Sequence, residues 1–141
     1  ATLMYPNQNR LIIDAGTCIT YDFVNAENQY LGGAISPGIK IRYKSLNNYT
    51  SKLPLLTLSE DFEIIGNSTK SAIHSGVING VIFEIEGFIS QYSLKNQDLT
   101  IILTGGDAEF LAKRLKSTIF ANSNFLLESL NTLSIYLNEN D

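Results

Sequence analysis

The stretch from Leu11 to Asp22 reads Leu-Ile-Ile-Asp-Ala-Gly-Thr-Cys-Ile-Thr-Tyr-Asp, and it sets one carboxylate, one glycine and one hydroxyl between two apolar runs. Both runs are short and rich in Ile, Thr and Val, so they predict strands over Leu11 to Ala15 and Cys18 to Val24, with Asp14, Gly16 and Thr17 at the turn. That turn has two readings. In one it is a tight hairpin in which Asp14 accepts backbone amides and Gly16 supplies a positive φ. In the other, a bare amide, a hydroxyl and a cation-attracting carboxylate lie within a few ångströms of one another, where a phosphate could rest.

Asn25 to Gln29 turns the chain into a third strand, Tyr30 to Ile35, completing an antiparallel meander that Ser36, Pro37 and Gly38 stop. Pro37 suits a first helical turn, and Ile39, Ile41, Tyr43 and Leu46 predict a helix to Asn47 or Asn48. Tyr49 to Asn67 reads as loop. Ser68 or Thr69 can cap the longest helix, Thr69 to about Tyr92, whose apolar positions Ile73, Val77, Val81, Ile85, Phe88 and Tyr92 recur at helical steps. Ala72, Gly76 and Gly80 form a small-residue stripe on it. Each glycine costs about 1 kcal/mol of helix propensity, which predicts close packing against the backbone there. Leu99 to Leu103 predicts a central strand, Ala108 to Lys116 an amphipathic helix, Phe125 to Leu127 a last strand, and Leu130, Leu133 and Tyr136 a final helix. The expected class is α/β in the order β-β-β-α-β-α-β-α, the order of one half of the actin-like ATPase (ribonuclease H-like) fold, although other mixed domains share it.

Size and charge narrow the function. At 141 residues and 44% hydrophobic, the chain can bury a core in one domain without metal or disulfide. A net charge of −4, with ten scattered basic residues, argues against a nucleic-acid surface. Cys18, the single cysteine, fits a reducing compartment and reads as a small buried hydrophobe. No uninterrupted apolar run approaches the about 20 residues of a membrane helix, and no signal pattern opens the chain, so a soluble cytoplasmic location is expected. Ala1 to Asn9 resembles a helix end and loop, and without an initiator Met the chain reads as a fragment. Residues 1–10 are expected to be the remnant of a preceding segment, 11–138 the domain and 139–141 a tail.

Neither G-x-x-x-x-G-K-[ST] nor G-x-G-x-x-G occurs, which disfavours P-loop and Rossmann sites. Gly105, Gly106 and Asp107 follow the fourth strand. They form either a plain strand-to-helix turn with Asp107 as N-cap, or side-chain-free backbone against which a nucleoside lies. Gly32 and Gly33 mark either a strand bulge or room for a ligand or partner. Thr69 is first a helix cap, and a ligand donor only if its hydroxyl faces a cleft. His74, the sole histidine, has no metal-ligand spacing around it.

Taken together, these segments resemble the type III pantothenate kinase family. Asp14-Ala15-Gly16-Thr17 is similar to that family's second phosphate motif, and Gly32-Gly33-Ala34-Ile35-Ser36-Pro37-Gly38 resembles its Gly-Gly-x-Ile-x-Pro-Gly loop. Leu53-Pro54 resembles a Leu-Pro that follows. Gly66-Asn67-Ser68-Thr69 with Ala72, Ile73 and Gly76 resembles its Ser-Thr helix start, and Thr104-Gly105-Gly106-Asp107-Ala108 its adenosine-side turn. The resemblance implies phosphorylation of pantothenate, the start of coenzyme A synthesis, by ATP lying between two halves of an actin-like fold. It implies ATP contacts from Thr17, Gly16, Gly105, Gly106 and Asp107, a K⁺ or NH₄⁺ ion at Asp14, pantothenate at Thr69, Mg²⁺, and a homodimer with the small-residue stripe as a plausible contact.

The chain also departs from that pattern. The family's Asp-x-Gly-Asn-Thr motif and the Gly-x-Asp-Arg that carries its expected base are absent, so no catalytic residue is assigned and both motifs are expected upstream of Ala1. Cys18 stands where the family usually has Ala. Two rival readings follow from the same residues: a non-catalytic transcriptional regulator of the Bvg accessory factor kind, and half of another actin-like sugar kinase or ATPase.

Overall fold

A computed structural model describes residues 1–60 and 62–139. Asp61, within the expected loop, and Asn140 and Asp141, within the expected tail, lie outside the described residues. Three strands, β1 (Asn9–Ala15), β2 (Cys18–Val24) and β3 (Tyr30–Pro37), form the predicted meander, paired antiparallel throughout. β4 (Leu99–Thr104) adds parallel to β1, and β5 (Phe120–Ala121) parallel to β4, giving a mixed sheet in the order β3-β2-β1-β4-β5.

Alternation along the strands decides which face is buried. Leu11, Ile13 and Ala15 of β1, Ile19 and Tyr21 of β2, and Ile101 and Leu103 of β4 enter one cluster with α1 (Ile39–Asn48) and the long helix. That helix is continuous from Thr69 to Lys95 but not uniform. An α segment, α2 (Thr69–His74), gives way to a π turn over Ser75–Asn79 and resumes as α3 (Gly80–Lys95). Ser75 explains part of the irregularity, because its Oγ donates to the Ile64 carbonyl at 2.7 Å and accepts from Asn79 Nδ2 at 3.2 Å. At 27 residues this helix is long and apolar enough to cross a membrane by length and composition. Here Ile73, Val77, Val81, Ile85 and Ile89 are core residues beneath the sheet.

Several expectations need correction. The last strand is Phe120–Ala121, and Phe125 to Leu127 is the first turn of α5 (Phe125–Glu139). A three-residue apolar run carries no period, and Asn122 decides its fate by accepting the Asn124 amide at 2.9 Å and binding Glu128, which starts a helix. α4 ends at Ala112 (Ala108–Ala112) rather than Lys116, because the Glu86 carboxylate takes the Lys116 and Ser117 amides. Pro37 closes β3, and Gly38 is the N-cap of α1. At the start of the chain, the Arg10 side chain is fully buried and donates to the Tyr5 and Asn25 carbonyls at 2.7 and 2.6 Å, tying residues 1–8 to the β2–β3 hairpin.

Candidate functional site

β1 and β4 run parallel with Asp14 opposite Thr104, so the turns that follow them emerge side by side at one end of the sheet. The Asp107 amide donates to the Ala15 carbonyl at 3.0 Å and the Ala108 amide to Gly105 at 3.1 Å. On the other flank, the Gly38 amide donates to the Thr17 carbonyl at 3.0 Å. Segments separated by 21 and by about 90 residues are thus stitched to one hairpin turn by backbone bonds. The sequence-predicted residues Asp14, Gly16, Thr17, Gly105, Gly106 and Asp107 do come together.

The glycines here differ in kind. Gly105 has φ +96°, and a Cβ on it would meet the Ala15 carbonyl oxygen and Asp14 Oδ1 at 2.5 Å. A Cβ on Gly38 would collide with the Gly16 and Thr17 carbonyls. By contrast, a Cβ on Gly106 meets nothing within 4 Å, and on Gly16 only Asp14 Oδ1 at 4.0 Å. Gly16 is therefore not the positive-φ residue of a tight hairpin, and Asp14 receives no side-chain hydrogen bond or ion pair among the described residues. Packing demands no glycine at 16 or 106. Their bare backbone borders open space beside the exposed Thr17 and the half-buried Asp14, which is the space a phosphate and a cation need.

Asp107 stands at the N-cap position of α4, as expected, but its side chain makes no cap hydrogen bond. Burial pushes its carboxyl up, with the nearby Lys40 ammonium opposing the shift. It borders an apolar cleft of about 170 Å³ between α1 and Leu55 to Leu58, where Lys40 and Lys44 also lie. The same 55–58 strap walls a second hollow of about 300 Å³ with Lys70 and His74. Thr69 sits beyond, exposed at the first position of α2, joined to the 14–17 and 105–107 turns by no bond among the described residues. Ser68 is the cap, its Oγ accepting the Ser71 amide at 3.1 Å while Ser71 Oγ accepts the Ser68 amide at 2.9 Å.

Other residues stand differently from expectation. Cys18 is exposed, because it begins β2 on the face opposite the buried Ile19. Gly32, at φ +97°, accompanies a register shift at Phe23 and Val24, and a Cβ on Gly33 would strike the Tyr21 carbonyl, so this pair builds a strand bulge. Ala72 and Gly76 are exposed; Gly66 packs so close to the Ala72 backbone that a Cβ on it would meet the Ala72 amide nitrogen at 2.3 Å, whereas a Cβ on Gly76 meets nothing within 4 Å among the described residues. His74 is buried, its Nδ1 2.7 Å from the Tyr43 hydroxyl, whose pKa burial pushes up to about 12. No three His, Cys, Asp or Glu side chains cluster as a metal site among the described residues.

Sequence reading missed Glu84. It accepts from the Tyr21 hydroxyl at 2.8 Å, Ser36 Oγ at 2.5 Å and Arg42 Nη2 at 2.5 Å. Burial raises its carboxyl, but the bonds from Ser36, Arg42 and Tyr21, with the Arg42 charge, outweigh that and hold it below the usual range. The available signal was a lone acid within Val81-Ile82-Phe83-Glu84-Ile85.

Comparison with known proteins bears on the chain as a whole. The family model for type III pantothenate kinase matches residues 1–91. A type III pantothenate kinase of Flavobacterium johnsoniae is 64% identical over 141 residues, 100% of this chain and 58% of that protein. One from Flavobacterium psychrophilum is 65% identical over 136 residues, covering 96% and 56%. One from Cytophaga hutchinsonii is 43% identical over 136 residues, covering 96% and 58%. A crystal structure from Campylobacter jejuni, named for the Baf family of transcriptional activators, superposes with a TM-score of 0.67 at 25% identity, covering 95% of this chain and 60% of that one. The chain spans about half the length of the curated relatives it matches. With the family model over its first 91 residues and such identity along its whole length, this chain belongs to the type III pantothenate kinase family.

Proposed function

We propose that this chain is the C-terminal half of an ATP-dependent pantothenate kinase and forms one wall of its ATP site within an actin-like fold. One observation carries the reading. The Asp14–Thr17 turn and the Gly105–Asp107 turn are bonded edge to edge, with backbone at Gly16 and Gly106 bare on the open side although packing does not require it. The Gly16 amide donates to the Cys18 carbonyl at 2.9 Å, so the Thr17 hydroxyl donates to the nucleotide's phosphates where they lie against the side-chain-free Gly16, Asp14 holds a monovalent cation, and Gly105, Gly106 and Asp107 border the nucleoside. Thr69 binds pantothenate from the start of α2. The sheet order β3-β2-β1-β4-β5, three antiparallel strands with parallel additions, supports the actin-like assignment.

ATP and Mg²⁺ supply the phosphoryl group and the charge neutralisation for in-line transfer to the primary hydroxyl of pantothenate. The residues of this chain bind and orient. The general base lies in the N-terminal half, so the chain alone does not catalyse. The whole protein works in the cytoplasm as a homodimer, with the Ala72, Gly76 and Gly80 stripe as a contact, Gly76 being the position open to a partner. It binds neither nucleic acid nor membrane, and the −4 net charge opposes the transcriptional-regulator reading. Incubating the full-length protein with ATP, pantothenate, Mg²⁺ and K⁺ tests this: formation of 4′-phosphopantothenate and ADP is expected, and absence of both overturns it.

A further inference from the structure

Glu84 joins more of the fold than any other acid described. Through Tyr21, Ser36 and Arg42 its carboxylate bridges β2, β3, α1 and α3. Two of those partners converge on one short segment. Ser36 lies in it, and Arg42 Nε donates to the Pro37 carbonyl at 2.8 Å. The next residue, Gly38, is the one whose amide bonds to Thr17 and whose Cα faces the Gly16 and Thr17 carbonyls too closely for a side chain. An unbroken series of contacts therefore runs from Glu84 through Arg42 and Ser36 to Pro37 and Gly38, and from there to the exposed turn.

The Arg42 and Glu84 side chains retain 21% and 23% exposure. Solvent screening at that depth makes the pair a modest contributor to stability, which separates its effect on the turn from its effect on folding. Fixing a loop by charge-assisted hydrogen bonds is how a binding constellation is held in shape without touching ligand.

We infer that Glu84 is a positioning residue: acting through Arg42, Ser36 and the Pro37–Gly38 segment, it holds the Gly16–Thr17 turn in the geometry that receives the nucleotide's phosphates. This inference rests on the nucleotide reading of that turn. Glu84→Gln keeps an acceptor for Tyr21 and Ser36 but removes the charge facing Arg42, freeing Arg42 and loosening its bond to Pro37.

The test is a double-mutant cycle in the full-length enzyme, with KM for ATP and for pantothenate measured separately. Glu84→Gln should raise the ATP KM by about fivefold and leave the pantothenate KM within about twofold. Thr17→Ala should raise the ATP KM too, and the double variant should be no worse than Thr17→Ala alone, because the two act through one contact. Additive effects, or equal rises in both KM values, would show a merely structural role and overturn the inference. An unchanged ATP KM in Glu84→Gln beside a raised one in Thr17→Ala overturns the role of Glu84 alone. An unchanged ATP KM in Thr17→Ala overturns the nucleotide reading and this inference with it. Should Glu84→Gln fold poorly, Arg42→Lys, which loses the forked reach to both Glu84 and Pro37, must give the same selective rise in ATP KM.

Discussion

At the scale of single residues, the candidate site divides into side chains and backbone that the fold needs and those it tolerates at a cost. Asp107 is of the second kind. Its carboxyl is desolvated and makes no cap hydrogen bond to α4 from the N-cap position, and Lys40 offsets only part of the penalty. Folding holds its proton to higher pH than in the unfolded chain, so the ionised form costs stability at neutral pH, and that cost disappears as pH falls below the carboxylate range. Asp107→Asn is therefore expected to leave the protein as stable or more stable at pH 7, with the difference vanishing in acid, as read by urea unfolding at the two pH values. In the full-length enzyme the same variant should raise the ATP KM by about threefold. The motif letters Asp-x-Gly-Thr and Thr-Gly-Gly-Asp were legible in the sequence. Which glycine is obligatory was not, because Gly105 and Gly38 are constrained by carbonyls contributed by a distant part of the chain.

At the scale of elements, strands and long helices followed from period, and short pieces did not. The meander and the helix from Thr69 were readable from alternation and from the Ile73, Val77, Val81, Ile85 series. The π turn was invisible there, since it depends on Ser75 and Asn79 reaching the 63–64 loop rather than on apolar spacing. Phe125 to Leu127 misled because three apolar residues suit either state, and the Asn122 contacts choose the helix. The small-residue stripe divides: Gly66 packs close against the backbone at Ala72, whereas Gly76 faces open space. Gly76→Ala introduces a methyl into open space on a helix, so it should stabilise the protein by about 0.5–1 kcal/mol in chemical denaturation. If the stripe is the homodimer contact, the same variant weakens self-association of the full-length protein in sedimentation equilibrium, and an unaltered dimer constant excludes the stripe.

At the scale of the whole molecule, the parallel pairing of β1 with β4 is what makes a site out of two weak motifs. The two glycine turns lie about 90 residues apart in sequence and meet only because the fourth strand adds beside the first rather than beside the third. Strand order cannot be read from a list of elements, so the sequence supplied the parts and the resemblance supplied their adjacency. The polar tie at Glu84 escaped both, because its partners at 21, 36 and 42 belong to three different elements. Gly106 offers the most direct measurement of the central claim, since a Cβ there meets nothing within 4 Å among the described residues. In the full-length enzyme, Gly106→Val should leave the melting temperature and the pantothenate KM unchanged and raise the ATP KM by at least about tenfold, a loss of about 1.4 kcal/mol of nucleotide binding. An unchanged ATP KM in a folded Gly106→Val enzyme would contradict the placement of ATP against this wall.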